Sequence, residues 1–225
     1  MTAKHQRQQT MIEARRALVL DAARTVFDES GMQGANIREI AKRAGYTPGA
    51  IYSYFDSKES IYGALLAESL ERLHVDVAKV RIVKNKPEKT LLAKSLAWFG
   101  FFAHNPRDLD LTFYLIRGMK ARGLPAEIKL PLDERLRDAL RPGEAALLEM
   151  GLNATQAARE SAALFAHGMG VLLLPAGSPT LLGQSPESMF QVYLEQLLSR
   201  YSAAGGSLPA DEDAATGSTQ VDLFA

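Results

Sequence analysis

Between Asn36 and Phe55 the chain carries two amphipathic segments of about two turns each, with only Gly45, Tyr46 and Thr47 between them. A connection that short makes the two helices cross sharply, so one face of the second is pressed against the first and the other is left outside. The first segment, Ile37 to Ala44, has Asn36 at its N-cap, an apolar stripe of Ile37, Ile40, Ala41 and Ala44, and Gly45 as its stop. The second has Thr47 at its cap and Pro48 at its first position, where the missing N–H is not needed, and runs to about Phe55. Its outward face carries Thr47, Gly49, Ala50, Ser53 and Tyr54, which are small or hydrogen-bonding and free of acidic charge. A face of that kind suits a major groove about 12 Å wide.

The rest of the chain agrees with a helical frame. Nearly every periodic stretch has helical spacing and none alternates apolar with polar over a strand's length, which predicts an all-α fold. A first helix is expected over Ile12 to about Ser30, where Gly31 suits a left-handed stop. Ser57 caps a long helix reaching to about Val83, on the order of 40 Å. Further helices are expected at about 88–104, 107–120, 132–150 with a break at Pro142-Gly143, 154–174 and 186–202. Residues 203–220 are rich in Ala, Gly, Ser, Asp and Thr and bury too little to offset ordering entropy. The organisation expected is residues 1–58 as N-terminal arm and helix-turn-helix DNA-binding domain, 59–202 as a larger helical domain, and 203–225 as a disordered acidic tail.

Charge matters here by position. Twenty-six basic and 26 acidic side chains cancel, so total charge makes no case for nucleic acid. Residues 1–58, however, hold nine Lys/Arg and six Asp/Glu, while 203–225 hold four acidic residues and no basic one. Arg38, Lys42, Arg43 and Lys58 cluster about the two short helices against Glu39 and Asp56, the local positive charge that phosphate contact needs. No cysteine is present, which removes disulfides, thiol nucleophiles and cysteine zinc sites. Met1 to Arg16 lacks the apolar run of a secretory signal. The apolar run around Val171 to Leu174 ends at Pro175, far short of the roughly 20 residues a membrane span requires. A cytoplasmic protein without membrane attachment is expected.

From Arg16 to Leu65 the residues resemble the TetR family of bacterial transcriptional regulators. The series that carries the likeness is Leu20, Ala22-Ala23, Phe27, Gly31, Ile40-Ala41, Ala44-Gly45, Pro48 to Ala50, Ile51-Tyr52, Tyr54-Phe55 and Ser57-Lys58-Glu59. Tyr46 stands where that family often has a small aliphatic residue, and Tyr54 where it often has histidine. The resemblance implies a three-helix DNA-binding domain, a long connecting helix, and a C-terminal domain that dimerises and senses a ligand. It places Thr47, Gly49, Ala50 and Ser53 at bases or adjacent backbone, Tyr52, Tyr54 and Lys58 at phosphates, and Pro48 at the start of the recognition helix. Arg38 is a backbone or groove contact on the same grounds, and Ile40, Ala41 and Ile51 are core.

Two half-sites some 34 to 36 Å apart call for a two-fold symmetric protein, so a homodimer on a palindromic duplex operator is expected. The last two long helices would form it, through Ala158, Ala162, Phe165, Met169 and Leu172 on one and Met189, Val192, Tyr193, Gln196 and Leu197 on the other, with Ala162, Ala163, Gly168 and Gly170 allowing close approach. Trp98, Phe99, Phe101, Phe102, Phe113 and Tyr114, with His104, Arg117, Met119 and His167, describe either an ordinary helical core or a pocket for a small hydrophobic or amphipathic effector. The ligand-binding set taken from them is Trp98, Phe102, Phe113, Tyr114, Arg117 and His167.

The function expected is a ligand-responsive transcriptional regulator, a repressor released from its operator by effector, with no cofactor and no metal. The alternative is an all-α enzyme or interaction module. His5, His74, His104 and His167 show no metal-ligand spacing, and neither G-x-S-x-G nor a Walker loop occurs. The tail adds one motif: Gln220-Val221-Asp222-Leu223-Phe224 resembles the short peptide by which bacterial replication and repair proteins dock on the sliding clamp.

Overall fold

The computed structural model describes residues 3–117, 124–174 and 183–203, and among these every regular element is helical. In chain order they are α1 (Ala3–Gly34), α2 (Ile37–Ala44), α3 (Pro48–Tyr52), α4 (Lys58–Lys79), α5 (Pro87–His104), α6 (Pro106–Arg117), α7 (Ala126–Glu149), α8 (Ala154–Leu172) and α9 (Pro186–Ala203). The tail peptide Gln220 to Phe224 and Met119 lie outside the described residues.

Local chemistry sets most of the boundaries. Asn36 accepts a hydrogen bond from the Glu39 N–H at 2.9 Å, and Gly45, with φ of 73°, returns its own N–H to the carbonyls of Ala41 and Lys42. That left-handed residue ends α2 at low steric cost because it has no Cβ. Thr47 Oγ1 accepts from the Ala50 N–H at 3.2 Å, and Ser57 and Ser60 bond reciprocally at the head of α4. Gly31, with φ of 64° and ψ of 166°, breaks the helical geometry of α1 at the position whose residue type suits a stop.

The departures have physical reasons. The third helix ends at Tyr52 rather than Phe55, since Ser53 to Phe55 form a turn that folds back on Ala50 and Ile51. Helix α4 stops at Lys79, about 33 Å long, because the chain turns extended at Val80. Helix α7 starts at Ala126, earlier than expected, and runs through both Pro131 and Pro142 without ending. A proline inside a helix costs about 3 kcal/mol. Burial opposes that cost, with Leu132, Leu136, Ala139, Ala146 and Leu147 all inside and Gly143 close to Leu91. Both α4 and α5 lie against α7, and Gly63 permits the first contact, since a Cβ there would stand 2.6 Å from Ile128 Cγ2.

A buried lysine closes the far end of α4. Lys94 of α5 donates from Nζ to the Val77 carbonyl at 2.6 Å and to that of Ala78 at 3.5 Å, so a cation caps the negative end of the helix. Burial holds its pKa below the ordinary 10.5. Between the lowered folded value and 10.5 the unfolded chain binds more protons, so this group makes stability rise with pH across that window. The denaturant midpoint of the natural chain is therefore expected to gain on that of Lys94→Met as the pH rises towards 10.5. A difference independent of pH would count against it.

Candidate nucleic-acid interface

The first three helices share a core. Val19, Ala23 and Val26 of α1, Ile40 and Ala41 of α2, and Ile51 of α3 are buried. With Ile51 inward, α3 turns its other side out: Thr47, Pro48, Gly49 and Ser53 are exposed, Ala50 is half-buried, and Tyr52 is 54% exposed. Nothing lies within 4 Å of where a Gly49 Cβ would stand, so the helix start is open to a close partner. Arg38 and Lys42 are exposed on α2, whereas Arg43 is drawn back into an ion pair with Glu29 of α1 at 2.7 Å.

Two of the expected phosphate residues are held differently from Tyr52. Lys58 is half-buried, and its Nζ donates to the Ala35 carbonyl at 2.9 Å, tying the head of α4 to the turn before α2. Tyr54 is half-buried and gripped from α1: its hydroxyl accepts from Arg15 Nη1 at 3.2 Å and its carbonyl accepts from Arg16. The Arg16 guanidinium also lies 4.2 Å from the centre of the Phe55 ring. Tyr46 meets Tyr54 with ring centroids 6.4 Å apart. The two positions where the sequence departs from the family pattern thus pack against each other. The roles of Arg15 and Arg16 are not readable from the sequence, because the partner they find is some forty residues away.

Comparison with known proteins agrees with this geometry. Residues 19–65 match the model of the bacterial regulatory proteins, tetR family. Over that segment the chain is similar to the TetR family. Among curated relatives, the HTH-type transcriptional regulator UidR of Escherichia coli K12 is 36% identical over 64 residues, 28% of this chain and 33% of that protein. The HTH-type transcriptional activator FasR of Mycolicibacterium smegmatis is 32% identical over 101 residues, 45% and 46% of the two chains. The chain thus spans between a third and about half the length of these two relatives. A solved transcriptional regulator from Rhodococcus sp. Rha1 superposes with a TM-score of 0.62 at 24% identity, over 86% of this chain and 99% of that one. PfmR of Thermus thermophilus, a TetR-family regulator, gives 0.60 at 19%, over 80% and 97%. The likeness of fold therefore extends well beyond the segment in which the sequences agree.

In the larger, C-terminal part of the chain the aromatic set divides. Trp98, 4% exposed, is enclosed by the rings of Phe99, Phe165 and Phe190, and Phe102 is fully buried. The void that Trp98 helps to line is about 10 Å³, room for roughly one water. These two residues are core. Phe113 and Tyr114 instead line a cleft of about 1280 Å³ bounded by α1, α4, α6 and the end of α8, with Phe27, Leu65, Leu111 and Leu173 as its other apolar walls. The Tyr114 hydroxyl is buried without a hydrogen-bond partner among the described residues. His167 lies elsewhere, stacked on Tyr193 at 4.1 Å, with its Nε2 likewise unpartnered among the described residues. The side chain of Arg117 is outside the described residues.

The lining of the cleft is charged and braced by ion pairs. Arg107 of α6 pairs with Asp28 of α1 at 3.1 Å, Arg72 of α4 with Asp108 of α6 at 2.6 Å, and Arg24 of α1 with Glu68 of α4. Asp110 has its pKa raised by burial and by the nearby charge of Asp28. None of these α1 and α4 residues can be assigned to a pocket from periodicity, because the walls come from helices distant in sequence. Among the described residues no group of His, Asp and Glu is placed to hold a metal, and no helix is long and apolar enough to cross a membrane.

Proposed function

We propose that this chain is a ligand-responsive DNA-binding transcriptional regulator, a repressor released from a palindromic operator by a small hydrophobic or amphipathic effector. The observation that carries it is the outward face of α3, exposed from Thr47 to Ser53 and fixed at its start by the Thr47 cap. Residues 1–58 act as the DNA-binding module and 59–202 as the effector and dimerisation module, in the cytoplasm. Thr47, Gly49, Ala50 and Ser53 meet bases or adjacent backbone, and Pro48 fixes the helix start. Tyr52, Tyr54 and Lys58 contact phosphates, and Arg38 contacts the backbone or the groove. The effector reading moves to the cleft between α1, α4 and α6, because Phe113 and Tyr114 line it and Trp98 and Phe102 do not. A ligand there touches the helix that leads into the DNA-binding module.

The homodimer reading rests on a stripe rotated slightly from the one expected. Met169 and Leu197 are buried within the chain, and Phe165, Leu172, Met189 and Tyr193 are half-buried. Ala158, Ala162, Ala166 and Gly170 stand exposed at four-residue spacing on α8, beside exposed Val192 and Gln196 on α9. A line of small side chains lets two helices approach closely. On its sequence alone, the tail peptide Gln220 to Phe224 is proposed as a contact for a sliding clamp.

Sequencing genomic fragments retained by the purified protein tests the central reading. Failure to retain any duplex at low ionic strength would end it. On a recovered duplex, Tyr52→Ala is expected to weaken binding roughly tenfold or more per protomer, the range for a hydrogen bond to a charged group. The loss should be nearly equal on altered operators, since phosphate contacts carry no sequence information. A loss confined to one operator sequence would move Tyr52 to base reading.

A further inference from the structure

The start of α1 is helix without a core. From Lys4 to Leu18 every residue is exposed except Arg16, and the first buried side chain is Val19. That is roughly four turns, about 24 Å from Ala3, standing clear of the bundle. At about 100° per residue, Lys4, Arg7, Met11 and Arg15 fall within an arc of roughly 80°, and Glu13 lies on the far side. Arg15 in that stripe is the side chain that meets the Tyr54 hydroxyl at 3.2 Å, just past the end of α3. The stripe therefore continues, turn by turn, a line that begins at the candidate DNA surface.

Isolated helices of this length are marginal in water. This one has no acidic side chain three or four residues from Lys4 or Arg7, and these two stand three apart, a like-charge pair that opposes the helix. We infer that the Lys4, Arg7 and Arg15 stripe of α1 is a second, sequence-independent DNA contact that lies along the phosphate backbone outside the half-site read by α3. The inference rests on the DNA-binding reading above. From Lys4 to Arg15 the helix rises about 16 Å, enough to pass roughly five phosphates spaced about 3.4 Å along one strand. The phosphates supply the counter-charge the helix lacks, and continuity with Tyr54 sets where the arm lies.

The test uses the full chain and a duplex recovered by the genomic selection. In Lys4→Ala/Arg7→Ala both changes are at exposed positions, so the core is untouched. The slope of log affinity against log salt should become shallower by roughly 1.8 per protomer, since each neutralised phosphate contributes about 0.9. Discrimination against a duplex with one altered half-site base should stay the same, and the protected region should shrink at both outer edges. The conservative exchange Lys4→Arg/Arg7→Lys should restore slope and edges. If the natural chain binds the duplex with the slope and edges of the alanine variant, the arm is refuted and the α3 reading stands. If the natural chain binds no duplex, both fall together.

Discussion

Gly49→Glu should abolish operator binding, lowering affinity at least about 100-fold at roughly 0.1 M salt, while the melting temperature holds or rises slightly. The position separates fold from function. A side chain there meets nothing within 4 Å, so the protein's own packing is undisturbed. The residue lies in the first turn of α3, where a carboxylate is favoured by the helix dipole by about 0.3 to 1 kcal/mol, and glutamate is a better helix former than glycine. Folding therefore loses nothing. Against DNA the same carboxylate occupies the open space by which the backbone approaches the groove, and it faces a polyanion. Each phosphate within about 4 Å costs about 1 kcal/mol even in water-like dielectric. A symmetric pair of subunits presents the substitution twice, so a few such contacts per protomer reach the loss stated. Gly49→Ala is the control for bulk alone. Fluorescence anisotropy against a recovered operator, with a thermal melt of the same samples, checks both halves; an acidic variant that binds like the natural chain would remove α3 from the interface.

Much of the DNA-binding module is legible in the sequence because its chemistry is short-range. Asn36, Gly45, Thr47 and Ser57 act on backbone groups at most four residues away, and each does in the fold what its type and place suggest. Where a partner is distant the sequence is silent. Nothing near Lys58 indicates that its ammonium turns back to Ala35, nor near Tyr54 that Arg15 and Arg16 close on it. The first turns of α1 escape because they have no apolar face to give a period, only a charged stripe. Helix α7 escapes for the opposite reason: local rules place breaks at Pro131 and Pro142, and burial between distant helices overrides them. The effector cleft is the extreme case. Aromatic clustering along the chain points to Trp98 and Phe102, which the fold uses as filling, while the walls of the cleft are assembled from helices that no sequence window contains together.

The core around Trp98 yields the largest stability effect expected outside the interface. Gly168→Ala should lower the melting temperature by several degrees, although alanine is the better helix former by about 1 kcal/mol. A Cβ at Gly168 would stand 2.3 Å from Trp98 Cη2 and 2.9 Å from Phe190 Cε2. Both are rigid ring atoms: Trp98 is wedged among three phenylalanines, and Phe190 is stacked on Phe99 with centroids 4.2 Å apart. Moving either ring disturbs the whole stack, and overpacking of this kind costs about 1 to 3 kcal/mol or more. That outweighs the gain in helix propensity, and at about 2 to 4 °C per kcal/mol for a chain of this size the net loss is measurable. Gly170, two residues on, gives the contrast. A Cβ there meets nothing within 4 Å, so within one chain Gly170→Ala should stabilise α8. On the exposed stripe assigned to the dimer, the same methyl would instead push two copies of α8 apart. The two substitutions should therefore differ in kind: Gly168→Ala loses stability at every protein concentration, whereas any penalty from Gly170→Ala should appear only as a weaker monomer–dimer equilibrium in sedimentation. A Gly170 variant that melts lower as a monomer would show that α8 has a packing partner within its own chain at that point.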